Sequence, residues 1–194
     1  MNMKRGRPRN VQTQQAILTA AYDLLLDTGF AAVTVEKIAE RAGVSKATIY
    51  KWWPNKAAVV MDGYLSAASS RLPLPDTGSV FGDIEEHAVS LARFLLSREG
   101  KIITEIIGEG QKDPGLKEAY QTRYFHPRRQ EARQLLERGR QCGELREDVD
   151  SGLCTDLIYG PIFYRLLLTG EPLDDVYVRQ LVAAAFAGIG ERLP

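Results

Sequence analysis

Between Thr34 and Pro54, helix-start and helix-stop residues follow one another so closely that only very short helices fit between them. Thr34 suits the N-cap of a helix with Glu36 near its positive end and Val35, Ile38 and Ala39 facing inward. Gly43 closes that helix, because the residue after a last turn commonly needs positive φ, which glycine supplies without steric cost. Ser45 then caps a third helix over Lys46 to Trp52. Pro54 forbids its continuation, and Asn55 caps a fourth helix that starts at Lys56. Ahead of them Asn10 caps a longer helix ending at Gly29, with Ile17, Ala20, Ala21, Leu24 and Leu25 as the apolar stripe of an amphipathic segment.

Two short helices joined by Ala42-Gly43-Val44 behind a longer one form a helix-turn-helix pattern. Val44 and Ile49 supply apolar anchors for the third helix, which otherwise presents Ser45, Lys46, Thr48, Tyr50, Lys51 and Trp52. Such a density of donors, cations and aromatics on two turns suits a polar partner. The distribution of charge says which sign. The 194 residues balance 25 Lys/Arg against 25 Asp/Glu, yet residues 1–60 hold nine of the bases and four of the acids. A basic module on an acidic body implies a polyanionic partner at one end, most often nucleic acid.

At these residues the sequence resembles the tetracycline-repressor (TetR) family of bacterial transcription regulators. The resemblance is carried by Thr34-Val35-Glu36-Lys37-Ile38-Ala39-Glu40-Arg41-Ala42-Gly43-Val44-Ser45-Lys46-Ala47-Thr48-Ile49-Tyr50, then Trp53, Pro54 and Lys56, within residues 13–60. Trp53 stands where Phe is common in such sequences, an exchange of one bulky aromatic for another. The resemblance implies an all-α homodimer with an N-terminal three-helix helix-turn-helix domain and a larger helical domain for ligand binding and dimerisation. The expected division is a basic arm over 1–12, the DNA-binding domain over 13–60, and the effector-binding and dimerisation domain over 61–194. Periodicity and turn residues place further helices near 82–98, 100–110, 114–140, 149–169 and 174–191, the third kinked or divided at Pro127.

DNA binding needs phosphate contacts for affinity and groove contacts for discrimination. Lys56 at a helix start and the Thr34 hydroxyl beside a helix N-terminus suit phosphates. Ser45, Lys46 and Thr48 lead the recognition helix toward base edges or flanking phosphates, and Ala47 suits a thymine methyl. Lys51 adds a cation, whereas Tyr50 and Trp52 reach backbone and sugar or pack in the core. Arg5-Gly6-Arg7-Pro8 resembles an AT-hook core, with Arg5 and Arg7 entering a narrow minor groove; the alternative is a basic tail that touches phosphates anywhere.

No Ser/His/Asp or Cys/His arrangement is recognisable, so no catalytic residue and no enzymatic activity are expected. Cys142 and Cys154, with His87 and His126, match no zinc-ligand spacing, and neither metal nor cofactor is expected. No uninterrupted apolar run of about 18 residues predicts a membrane span. No apolar segment follows the basic N-terminus as a secretory signal would require, so the cytoplasm is the expected location.

In the larger domain Phe94, Tyr120, Tyr124, His126, Tyr159 and Phe163 are candidates for an effector site, although most such residues simply form core and His126 also suits a structural role. A small, largely hydrophobic effector fits aromatics with polar tips, and is what the resemblance implies. Leu153, Leu157, Leu168, Leu181, Val182 and Phe186 give the last two helices more apolar surface than one core consumes, as pairing across a two-fold axis requires. The reading is a repressor released from an inverted-repeat, double-stranded DNA operator by its effector. The alternatives are an effector-independent architectural DNA-binding protein and, from another class, a helical enzyme with a basic patch.

Overall fold

The first apolar stripe is realised in helix α1, Val11–Ala32, which buries Ile17, Ala20, Ala21, Leu24 and Leu25. The computed structural model describes residues 11–68 and 74–189. Arg5 and Arg7 lie outside them. Gly29 adopts φ 73° and ψ 163°, so it breaks the helical dihedrals as its position suggests, but the chain resumes helix to Ala32 instead of stopping. Glycine tolerates that break, and the turn beyond it carries the buried Phe30.

Helices α2 (Val35–Ala42), α3 (Lys46–Tyr50) and α4 (Lys56–Ala68) follow. α3 is two residues shorter than expected, since Lys51 and Trp52 form a turn ahead of Pro54. α4 packs along α1 at Gly63, where an added Cβ would fall 2.7 Å from the Leu18 carbonyl oxygen. The same compact unit includes Glu105–Tyr120, which holds the end of α6 (Arg98–Gly110) and all of α7 (Pro114–Tyr120), the latter packed on α4.

The second unit takes the described residues of 74–104 and 121–189. Helix α5 (Val80–Leu96) touches α8 (His126–Gln141), α9 (Ser151–Tyr164) and α10 (Asp175–Ile189). Asp83 is buried in α5, where its Oδ1 accepts from the Thr77 amide at 2.6 Å and the Thr77 hydroxyl at 2.8 Å. Its other oxygen pairs with Arg138, so one carboxylate ties the approach to α5 to α8. Ser97 alone separates α5 from α6. Its hydroxyl donates to the Phe94 carbonyl at 2.6 Å and accepts from the Gly100 amide at 3.1 Å.

Gln121–Phe125 form a π-helical turn immediately before α8. Pro127, in the first turn of α8, has no N–H for the Arg123 carbonyl and crowds it, which accounts for the widened turn where the sequence suggests a kink. A second π turn, Arg165–Thr169, ends at Gly170 with φ 67°. Among the described residues there is no strand, and no helix is long and apolar enough to cross a membrane.

Candidate nucleic-acid interface and effector cavity

Each cap in the helix-turn-helix segment is made by the residue whose chemistry calls for it. The Thr34 hydroxyl accepts from the Lys37 amide at 3.2 Å, the Ser45 hydroxyl from the Thr48 amide at 3.2 Å, and Asn55 Oδ1 from the Ala58 amide at 2.8 Å. Gly43 takes φ 65° and ψ 34°, the left-handed conformation that lets the Val44 amide reach back to the Ala39 carbonyl at 2.9 Å. Ile49 and Trp53 are buried, and the Trp53 indole N–H donates to Asp62 at 2.7 Å. These contacts fix α3 through its inner side.

Its outer side faces solvent among the described residues. Thr34, Ser45, Lys46, Ala47, Tyr50 and Lys51 are exposed, while Thr48, Trp52 and Lys56 are half-buried. Tyr50 is 53% exposed, so its ring is not core; Trp52 stands edge-on to Trp53 with centroids 5.6 Å apart. The cations differ in what holds them. Lys46 bonds Glu36 at 2.8 Å, and that hydrogen bond and charge hold the Glu36 carboxyl below its usual range. Lys37 donates to the Ala32 carbonyl at 2.8 Å, and Arg41 pairs with Asp27 at 3.1 Å. Lys56 is turned back on Phe30, and burial lowers its affinity for a proton while Asp113 and Glu109 pull the other way.

The second unit holds a partly open cavity of about 280 Å³. Its walls are His87 and Leu91 from α5, Tyr124 and Phe125 from the first π turn, and Arg128, Arg129 and Ala132 from α8. Thr155, Asp156, Tyr159, Gly160 and Phe163 of α9 complete it. Of the residues singled out by sequence, Tyr124, Tyr159 and Phe163 line this space. Phe94 is buried elsewhere in α5, Tyr120 ends α7, and His126 is exposed at the start of α8, so none of these three does.

Among the wall residues not singled out by sequence, His87 is the one with an unmet polar atom among the described residues. It is 4% exposed, its Nδ1 lies 2.7 Å from the Tyr159 hydroxyl, and burial, with the Arg128 charge adding to it, pushes its pKa down to about 4. The signal was there to find: a lone imidazole on the apolar stripe Ile84, Ala88, Leu91, Leu95. Burial also pushes the Tyr159 phenol up, and the Tyr124 phenol up to about 12. Both arginines are engaged, Arg128 with Glu131 at 2.8 Å and Arg129 with Asp156 through a fork whose Nη2–Oδ2 arm is 3.1 Å.

A third surface lies on α9 and its π turn, where Leu153, Leu157, Tyr164 and Leu168 are 56%, 48%, 57% and 75% exposed. Gly160 has open space where a side chain would be. Val182 of α10, by contrast, belongs to the core.

Comparison with known proteins returns consistent relatives. Residues 17–61 match the domain described as "Bacterial regulatory proteins, tetR family", and residues 74–185 match "Tetracyclin repressor-like, C-terminal domain". An uncharacterized HTH-type transcriptional regulator of Bacillus subtilis, YdeS, is 65% identical over 97% of this chain and 96% of its own. The DNA-binding transcriptional repressor TetR of Mycobacteroides abscessus is 29% identical, with 92% of each chain covered. Among solved structures, the TetR family transcription regulator SCO0332 superposes with a TM-score of 0.80 at 38% identity, over 94% of this chain and 100% of that one.

Proposed function

Given that the chain belongs to the tetR family of bacterial regulatory proteins and is a DNA-binding transcriptional regulator, we propose that it is a homodimeric repressor that leaves an inverted-repeat operator when a small, largely hydrophobic effector enters its cavity. The observation that carries this reading is the division of α3 into two sides. Ile49 is buried, while Ser45, Lys46, Ala47, Tyr50 and Lys51 are exposed behind a left-handed Gly43 turn. Hydrogen-bonding side chains held on the outer side of so short an element match what a major groove presents.

In this reading Ser45, Lys46, Ala47 and Thr48 face base edges, and Thr34, Tyr50, Lys51 and Trp52 face the sugar-phosphate backbone. Lys56 sits beside the backbone at the start of α4, and Arg5 and Arg7 reach the adjacent minor groove. Residues 13–60 form the DNA-binding domain behind the arm of 1–12, and residues 61–194 bind effector and partner. The exposed leucines of α9 and its π turn support pairing with a second copy across a two-fold axis. Two recognition helices then meet successive major grooves about 34–36 Å apart. An effector acts by preferring the state whose spacing misses those grooves. The protein works in the cytoplasm, where its operator is.

Selection of bound sequences from random DNA, followed by footprinting on the best of them, tests the reading. A short palindromic footprint that a ligand abolishes is expected. Broad coverage without sequence preference points to an architectural protein and overturns it.

A further inference from the structure

We propose that the cavity of the second unit selects a compact, uncharged, mostly apolar molecule carrying one hydrogen-bond-accepting oxygen of the ketone, lactone or amide kind, and that His87 Nε2–H is the group that reads this oxygen. The inference rests on the effector reading above and deepens it by naming the chemistry of the ligand.

His87 Nδ1 and the Tyr159 hydroxyl are 2.7 Å apart, and that hydroxyl has no other partner among the described residues. A phenol donates more readily than it accepts, so the Tyr159 O–H points at Nδ1. A neutral imidazole that accepts at Nδ1 carries its hydrogen on Nε2. The ring is neutral near pH 7, because burial and the neighbouring Arg128 charge oppose its protonation. Nε2 is therefore a donor, and it is buried with no partner among the described residues. Buried donors are rarely left unmet, since their lost hydration goes uncompensated. His87 stands on the wall of a cavity whose other walls are largely aromatic and aliphatic, so once a small shift of the ring opens Nε2–H to that space its natural partner is an acceptor on the molecule that fills it.

Charge and size narrow the class further. A carboxylate has no free cation to meet here, because Arg129 is held by Asp156 and Arg128 by Glu131, and entry would strip its hydration. A cation has no free carboxylate to meet either, because Asp156, the acid on the wall, is held by Arg129. A volume of about 280 Å³ lies at the lower end of ligand pockets, which favours a compact molecule.

Three probes on one diphenyl frame test this with the full chain near neutral pH: benzophenone, diphenylmethane, which lacks the oxygen, and diphenylacetate, which adds a carboxylate at the central carbon. Calorimetry is expected to show benzophenone binding about tenfold tighter than diphenylmethane, as one buried hydrogen bond predicts, with diphenylacetate weakest. In His87→Phe the hydrocarbon should still bind while the advantage of the ketone disappears. Tyr159→Phe, which releases the tautomer, should narrow that advantage. Nitrogen-15 spectra of the unaltered protein should show His87 as the Nε2–H tautomer, with Nε2 shifting when benzophenone is added.

Equal binding of ketone and hydrocarbon, tightest binding of the carboxylate, an undiminished preference in His87→Phe, or no binding by any probe overturns the proposal. So does an Nδ1–H tautomer, a readout that survives even if the variants fail to fold. Operator release is measured separately. A His87-dependent preference without any change in DNA affinity leaves this inference standing and removes effector control; release by a ligand indifferent to His87 does the reverse.

Discussion

The Lys56 ammonium lies 3.1 Å from the Phe30 carbonyl oxygen and 4.0 Å from the centre of the Phe30 ring, so the main chain and side chain of one residue hold the same charge. The contact ties the start of α4 to the last turn of α1. It also occupies a cation that the sequence reading assigns to phosphate. Lys51, exposed on the turn after α3, has no such tie among the described residues.

Alanine at each lysine should therefore weaken operator binding in different ways. Lys51→Ala is expected to lower the slope of log K against log salt by about 0.9, the release of one phosphate's counterions. Lys56→Ala should lower affinity with a distinctly smaller change in slope, because it loosens α4 before it removes a phosphate contact. Anisotropy titrations over a salt series decide it. Equal slope changes would mean that the Lys56 ammonium leaves Phe30 for the DNA.

Two hydroxyls at the start of the recognition helix differ in what they do for stability. Ser45→Ala removes an N-cap and should cost about 1 kcal/mol in denaturant melts. Thr48→Ala keeps that cap's backbone bond and should change base preference instead. Sequence selection with Thr48→Ala beside the unaltered protein checks this, and identical preferences would take Thr48 away from the base edges.

The helices and caps were legible because they depend on neighbours in the chain: Thr34 meets the Lys37 amide and Ser45 the Thr48 amide, each three residues on. The π turn before Pro127 was legible only as a kink, since the proline removes a donor without dictating how the freed carbonyl is accommodated. Aromatic side chains pointed to Tyr124, Tyr159 and Phe163 as cavity candidates. They could not exclude Phe94 or His126, because which side of a helix meets empty space is set by packing partners far along the chain. His87 needed Tyr159, 72 positions away, to acquire a meaning. The grip of Phe30 on Lys56 spans 26 positions and follows from the angle between α1 and α4, which no local pattern encodes.

Leu157 is half in solvent on the apolar stripe of α9. Leu157→Glu should leave protomer stability within about 0.5 kcal/mol, as surface changes usually do, while placing like charges opposite each other in a two-fold interface. Sedimentation at micromolar concentration should find a monomer, and operator binding should lose its two-half-site cooperativity. A dimer of unchanged affinity would move the interface off α9.

His87 gives stability a pH dependence whose sign is fixed. Its pKa is about 4 in the fold and 6.5 as the ordinary value, so between these limits the unfolded chain binds the extra proton. Stability falls as pH drops from 6.5 toward 4, by up to roughly 3 kcal/mol. The groups that face the ring, Tyr159 as partner and Arg128 as a like charge for the imidazolium, both favour the neutral form. His87→Gln keeps an acceptor for Tyr159 and should flatten this limb of the urea-midpoint curve. An identical limb would show that the imidazole charges freely in the folded protein.

Deleting residues 1–9, which lie outside the described residues, should lower operator affinity. If Arg5 and Arg7 enter a minor groove, replacing flanking A·T pairs by G·C weakens the intact protein and hardly affects the deletion. Equal sensitivity of the two proteins leaves only a basic tail on phosphates.

Ser97 is the whole of the connection between α5 and α6, and a Cβ at Gly100 would fall 2.0 Å from the Phe94 carbonyl oxygen. No rotamer relieves a collision with main chain, so even alanine at position 100 requires two helices to be re-aimed together. Stepwise change at this corner has no viable intermediate. In a saturation library scored by repression, Gly100 will show the intolerance usually taken as the mark of a contact residue, although it is absent from both the recognition surface and the cavity wall. A tolerance map of this protein therefore has to be divided by fold retention before its peaks are assigned to DNA or effector.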